Sequence, residues 1–123
     1  MTGVLLVVSD DPAVEEALRF GLAGGIEVTL ALDAVEAIER LASLTPRAVV
    51  VDLQTGNSGG FALARDMSQI ARLASIPVIV LLERDQDRWL ADQAGAALAL
   101  KKTVDGSVLL EAVSSVLDEK TPL

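Results

Sequence analysis

The chain has 123 residues, of which 51% are hydrophobic and 23% are charged, and we therefore expect a single folded globular domain. Ten basic and eighteen acidic residues give a formal net charge of −8, which disfavours direct binding to nucleic acids or to anionic membranes. The chain contains no cysteine and no histidine, which excludes thiol chemistry, histidine catalysis and the usual zinc sites. The apolar run at residues 4–8 is too short to span a membrane and follows no basic residue, so we expect a cytoplasmic protein.

Apolar segments typical of buried strands alternate with segments of helical periodicity. Strands are predicted at residues 4–8, 26–30, 48–53, 77–82 and 97–100. A helix is predicted after each strand, from apolar residues spaced three and four apart. The apolar positions of the predicted helices should face the core, and they include Ile38 in the second helix and Ile70, Ala71 and Ala74 in the third. Gly95 is predicted to end the fourth helix.

Three aspartates are predicted to begin helices. Asp11 precedes Pro12 and is a candidate N-cap, Asp33 forms a capping box with Glu36, and Asp105 is placed to cap the last helix.

Five strands that alternate with five helices predict a parallel sheet covered by helices on both faces and joined by right-handed crossovers. We therefore predict a flavodoxin-like (βα)5 doubly wound fold with strand order 2-1-3-4-5. Residues 1–118 are expected to form the domain, and residues 119–123 a frayed C-terminal tail.

The third strand ends in a carboxylate, Asp52, which is costly to bury unless it has a role or a partner. In the predicted strand order, the ligand crevice lies between the carboxyl ends of strands one and three. Asp10 follows the first strand and Lys102 follows the fifth, so two carboxylates and one ammonium group should converge there. The structural alternatives are that Asp52 caps a loop, that Asp10 is a second helix-capping residue, and that Lys102 is solvated beside Lys101.

The chain resembles the receiver domains of bacterial two-component response regulators over nearly all 123 residues. The resemblance rests on the order and spacing of four segments, namely Val7-Val8-Ser9-Asp10-Asp11-Pro12, Val51-Asp52 with Gly60 eight residues later, Pro77-Val78-Ile79-Val80-Leu81, and Ala94-Gly95-Ala96 leading to Lys102.

The resemblance implies that Asp52 is a phosphoacceptor for a histidine kinase or a phosphotransfer protein. It implies that Asp10, Asp52 and the backbone carbonyl of Gln54 bind Mg²⁺, and that Lys102 pairs with the phosphoryl group. Asp11 remains open as a further metal ligand, because it also suits the helix cap.

Several positions depart from the family pattern. Ser9 stands where the first of two adjacent acids is usual, Leu82 replaces a hydroxyl residue and Ala99 replaces an aromatic residue. Thr103 and Gly56 each replace a proline. We therefore expect weak Mg²⁺ binding and the loss of the relay that normally follows phosphorylation.

The predicted function is an atypical single-domain receiver in two-component phosphorelay signalling. It would be a phosphoacceptor rather than an enzyme, with at most self-catalysed phosphoryl transfer and hydrolysis, and would act through contacts with a downstream protein. The alternative is a pseudo-receiver, which keeps the fold as an interaction or dimerisation module without phosphorylation; a homodimer therefore stays open. A nucleotide or flavin binder is disfavoured, since Ser9-Asp10-Asp11-Pro12 places carboxylates where a phosphate would sit.

The chain has one tryptophan, Trp89, for which we favour core packing, with an interface anchor as the alternative. We expect no separate output domain within 123 residues, so that any response must pass through a surface of this domain or through a longer protein of which it is a part.

Overall fold

Strands and helices alternate along the chain in the computed structural model, which describes residues 3–19, 26–52, 59–101 and 106–119. The strands are β1 (Gly3–Val8), β2 (Ile26–Ala31), β3 (Ala48–Asp52), β4 (Val78–Leu82) and β5 (Leu98–Lys101). The helices are α1 (Pro12–Arg19), α2 (Ala34–Leu41), α3 (Gly59–Gln69), α4 (Arg88–Gln93) and α5 (Gly106–Glu119), and a short 3₁₀ turn (Asp85–Asp87) precedes α4.

The five strands form one parallel sheet in the order β2-β1-β3-β4-β5, as predicted. Every residue of β3 and β4 is buried, because both faces of the sheet are covered and these strands lie at its centre. The edge strands β2 and β5 are only partly buried. This order places the carboxyl ends of β1 and β3 side by side, where the sequence predicts the ligand crevice.

Each face of the sheet has its own apolar core. On one face, Val14 and Leu18 of α1 pack with Leu109 and Val113 of α5 against alternate residues of the central strands. On the other face, the buried side chains come from α2, α3 and α4. These layers hold the strand ends in fixed positions.

The local signals that begin and end helices act largely as predicted. The Glu36 amide donates to Asp33 Oδ1 at 2.9 Å, and the Ala13 amide donates to Asp11 Oδ1 at 3.0 Å, so both aspartates cap helices. Gly95 ends α4 with a φ of 87°, a left-handed conformation that glycine adopts without a steric penalty. The predicted cap at Asp105 lies outside the described residues.

Helix α3 is shorter than its apolar stripe predicted. It ends at Gln69, and the Ile70 and Leu73 amides then bond to carbonyls three residues earlier, which tightens the chain into turns. Ile70, Ala71 and Ala74 are therefore exposed, contrary to the prediction, and Leu73 enters the core instead.

Two further side chains predicted to be in the core are exposed. Helix α2 buries Ala37 and Leu41, so Ile38 is turned toward solvent and is 53% exposed. Trp89 is 57% exposed, because α4 directs Ala91 into the core and a residue two positions earlier points about 200° away. The core interpretation of Trp89 is thus wrong. Within the described residues, no helix is both long enough and apolar enough to cross a membrane.

Candidate functional site

The site is built at the carboxyl ends of β1 and β3. Val8 lies opposite Val51 in the parallel register, so the next residues of the two strands, Ser9 and Asp52, face each other. Asp52 is 2% exposed and Ser9 is 0% exposed. Among the described residues, they are the only polar or charged residues that are buried. A carboxylate at such a depth requires a partner that offsets its loss of hydration.

One partner of Asp52 is the hydroxyl group of Ser9. Ser9 Oγ lies 2.7 Å from Asp52 Oδ2, within the range of a strong bond from a hydroxyl to a carboxylate. An ionised carboxylate only accepts hydrogen bonds, so the hydroxyl is the donor. Ser9 therefore supports the buried charge of Asp52 in this protein.

Ser9 is itself held in place by its neighbours. Its amide donates to the carbonyl of Ala31 at 2.9 Å, which extends the pairing of β1 with β2 by one residue. Its hydroxyl oxygen accepts from the Asp11 amide at 3.0 Å, which directs the single hydroxyl proton toward Asp52. The orientation of the Ser9 hydroxyl thus depends on backbone groups on both sides of the strand end.

The two remaining aspartates after β1 have different surroundings. Asp11 caps α1 with its side chain, as predicted, and its role as a further metal ligand stays a prediction. Asp10 is exposed, one residue beyond Ser9 along the same sheet edge. Within the described part of the chain, no three acidic, histidine or cysteine side chains gather as a metal-binding group.

Several predicted site residues lie outside the described residues. These are Gln54, Gly56, Lys102 and Thr103. Their predicted roles, the backbone ligand of Gln54 and the phosphoryl-pairing ammonium group of Lys102, stay predictions.

Leu82 and Ala99, whose side chains led us to predict the loss of the signalling relay, are part of the core. Leu82 is 0% exposed and belongs to the same apolar cluster as Ala91, Ala94 and Ala99. The Arg88 guanidinium group donates to the carbonyl of Ala99 at 2.5 Å and thereby ties α4 to β5. Where a mobile hydroxyl and a rotating aromatic ring would be expected, the chain has packed side chains with no such freedom.

A family model for the response regulator receiver domain matches residues 5–114 of this chain. The chain belongs to this family. It is 35% identical over 121 residues to the response regulator MprA of Mycobacterium sp. (strain KMS), and 36% identical to MprA of Mycolicibacterium vanbaalenii. Each alignment covers 96% of this chain and 52% of the relative, so this receiver domain spans about half the length of the curated relatives it matches.

Solved structures of receiver domains share the fold. The signal receiver domain of a signal transduction histidine kinase from Syntrophus aciditrophicus superimposes with a TM-score of 0.84 at 26% identity, over 99% of this chain and 95% of that one. A response regulator from Thermotoga maritima gives 0.81 at 25% identity, over 96% and 99%. The receiver domain of a sensor histidine kinase from Pseudomonas aeruginosa PAO1 gives 0.80 at 22% identity over the same shares, a likeness of fold alone. The predicted family and strand order are therefore confirmed, and the chain is a response regulator receiver domain of two-component signalling.

The sequence showed that Ser9 stands where the family usually has an acid, but not that Ser9 is a partner of Asp52. The register of β1 and β3 could have indicated this contact, because residues that end two neighbouring parallel strands face each other once the strand order is known. The bond from Arg88 to Ala99 had no such signal, since it joins a helix side chain to a backbone carbonyl.

Proposed function

We propose that this receiver domain accepts a phosphoryl group on Asp52 from a phosphohistidine of a kinase or a phosphotransfer protein, and that it acts through contacts with other proteins. The observation that carries the proposal is the buried carboxylate at the end of β3, 2% exposed and bonded to Ser9 at 2.7 Å. A purely structural loop cap would not require a charge at this depth.

In the proposed reaction, one oxygen of Asp52 attacks phosphorus, the P–N bond of the phosphohistidine breaks, and its electron pair returns to the imidazole. The product is an acyl phosphate, a recognised form of carboxylate catalysis. The protein contributes mainly positioning and neutralisation of charge. The proposed role of Lys102 is to pair with a phosphoryl oxygen as a point charge. The domain needs no other enzymatic activity in this proposal.

The donor set is compatible with Mg²⁺, which prefers hard oxygen ligands and is commonly held by one or two carboxylates, water and phosphate. Asp10 and Asp52 would supply the carboxylates and Gln54 a backbone carbonyl, and the ion would neutralise phosphoryl charge when bound. The Pseudomonas aeruginosa receiver domain mentioned above holds a magnesium ion in its active site cleft. With Ser9 in place of an acid, we expect weaker Mg²⁺ binding here than three acids would give.

Incubation with a small-molecule phosphodonor and saturating Mg²⁺ should add one phosphate to the chain, because Asp52 ends β3 beside the proposed metal ligand Asp10. Intact mass spectrometry measures the gain, and Asp52→Asn is the matched control that keeps size and removes the nucleophile. No gain by the unmodified chain, or an equal gain by Asp52→Asn, would favour the pseudo-receiver.

Phosphorylation should change the conformation of α4, β5 and α5 only slightly, because Leu82 and Ala99 are packed and Arg88 ties α4 to β5. A modification shifts an equilibrium only by making different contacts in two states, and these residues offer few. Backbone amide shifts with and without a phosphoryl mimic measure the effect. Large concerted shifts from Asp87 to Leu110 would reveal another relay and contradict the prediction.

A protein partner that contacts α4 and α5 should therefore bind almost independently of phosphorylation. Trp89 is 57% exposed there and is a candidate anchor for such a partner.

A further inference from the structure

The hydrogen bond between Ser9 and Asp52 has a chemical consequence for the acyl phosphate. We propose that Ser9 is a positioning residue that shortens the lifetime of the phosphoryl group on Asp52. The proposal rests on Asp52 being the phosphoacceptor and concerns the regulation of that same site.

The geometry distinguishes the two oxygens of Asp52. Ser9 Oγ is bonded to Oδ2 at 2.7 Å, and its other contact, the Asp11 amide at 3.0 Å, fixes the direction of its proton. In the proposed cycle, Oδ1 attacks phosphorus, and Oδ2, the oxygen bonded to Ser9, becomes the carbonyl oxygen of the acyl phosphate. The hydroxyl of Ser9 remains on Oδ2 throughout the cycle.

This bond is stronger before phosphorylation than after it. In the carboxylate, Oδ2 carries part of a full negative charge, and hydrogen bonds to charged groups are roughly twice as strong as those between neutral groups. In the acyl phosphate, Oδ2 is a neutral carbonyl oxygen. Ser9 consequently stabilises unmodified Asp52 more than it stabilises phosphorylated Asp52.

Hydrolysis restores the favoured state. A water oxygen attacks phosphorus, the P–Oδ1 bond breaks, and its electron pair returns to the carboxylate while the water releases a proton to phosphate or solvent. The transition state is loose, so negative charge develops on the carboxylate as the bond breaks. Ser9 is already aligned with the carboxylate as this charge appears, which accelerates the loss of the phosphoryl group.

An acid at position 9 would act differently, because a carboxylate cannot donate a proton to Oδ2. Burial adds to the effect of the serine, since Ser9 is 0% exposed and water does not compete for its proton. The hydroxyl thus makes the lifetime of the acyl phosphate depend on a bond between two side chains of the protein.

Ser9→Ala should extend the lifetime of the acyl phosphate about fivefold, which corresponds to about 1 kcal/mol between a charged and a neutral hydrogen bond. The protein is phosphorylated with a small-molecule donor, the donor is removed, and the decay is followed by intact mass in Mg²⁺ and again in metal-free buffer. The difference should persist without metal, because the bond joins two side chains of the chain. Ser9→Thr keeps the hydroxyl and should restore the original rate.

Two further variants control the comparison. Ser68→Ala removes an exposed serine hydroxyl on α3 that bonds only its own helix, and should leave the lifetime unchanged. Ser9→Cys keeps a weak hydrogen-bond donor of similar size and should therefore give a lifetime between those of the unmodified chain and Ser9→Ala. It replaces Ser9→Ala in the comparison if that variant does not fold.

The outcomes separate this inference from the proposed function. If the unmodified chain is phosphorylated and its acyl phosphate lives as long as that of Ser9→Ala, the proposed role of Ser9 is overturned and Asp52 remains the phosphoacceptor. Ser9→Cys replaces Ser9→Ala in this comparison if Ser9→Ala does not fold. A slow decay in Ser9→Thr as well would show that the hydroxyl is not the cause. A failure of every variant to gain phosphate would overturn both proposals.

Discussion

In metal-free buffer, Ser9→Asp should lower the free energy of unfolding by about 3 kcal/mol, the scale of an uncompensated buried charge. The substitution removes the hydroxyl that bonds Asp52 Oδ2 at 2.7 Å and places a second carboxylate at the same buried position. Two carboxylates so close cannot both be ionised without a cation between them. Urea unfolding followed by circular dichroism measures the loss.

Added Mg²⁺ should recover most of that stability in Ser9→Asp and little in the unmodified chain. A ligand stabilises the folded state in proportion to the logarithm of its concentration over its dissociation constant, and the extra carboxylate should tighten Mg²⁺ binding. Calorimetric titration measures the affinity directly.

Ser9→Asn is the matched control, because it has the shape of aspartate without its charge and can still donate to Asp52. Its stability should depend on Mg²⁺ no more than that of the unmodified chain. Equal Mg²⁺ affinities in the unmodified chain and Ser9→Asp would show that position 9 is not part of a metal site and would contradict the prediction.

Leu82→Ala should destabilise the fold by about 3 kcal/mol, within the usual range for a buried leucine cut to alanine. Leu82 is 0% exposed at the end of β4 and packs in one cluster with residues of α4 and β5, including Ala91 and Ala99. The cavity would open beside small alanine side chains, which cannot expand to fill it. Urea or thermal unfolding measures the change.

Leu32→Ala is the matched control, since Leu32 is 50% exposed and the same substitution there should change stability by no more than about 0.5 kcal/mol. Similar losses for the two variants would mean that Leu82 is not a fixed part of the core. Such a result would also remove the reason to expect only a slight change of α4, β5 and α5 on phosphorylation.

The fold was predictable because its strands are unbroken apolar segments and its helices begin and end at clear signals. Asp33 and Gly95 act where their sequence contexts predict. The strand order required one further inference, that alternating strands and helices build a doubly wound parallel sheet. The exposure of Ile38 did not follow from its apolar spacing, because a short helix can rotate by part of a turn and bury Ala37 and Leu41 instead. The exposure of Trp89 agrees with the helical period, since Trp89 lies about 200° from the buried Ala91.

The candidate site was predictable only in outline. The position of Asp52 follows from the strand that precedes it, but its bond to Ser9 depends on the register between β1 and β3, which the sequence does not state. The cap at Asp11 was predictable, because Pro12 follows it at the first position of α1, and the bond from the Ala13 amide confirms it.

The most direct test of the central claim is to locate the phosphoryl group on the chain. After treatment with a phosphodonor, borohydride reduction converts an aspartyl phosphate to homoserine, and peptide mass mapping then identifies the position. We expect homoserine at position 52 and at no other aspartate, with Asp52→Asn unreacted. Homoserine at Asp10 or Asp11 instead, or none at any position, would contradict the assignment of Asp52 as the phosphoacceptor.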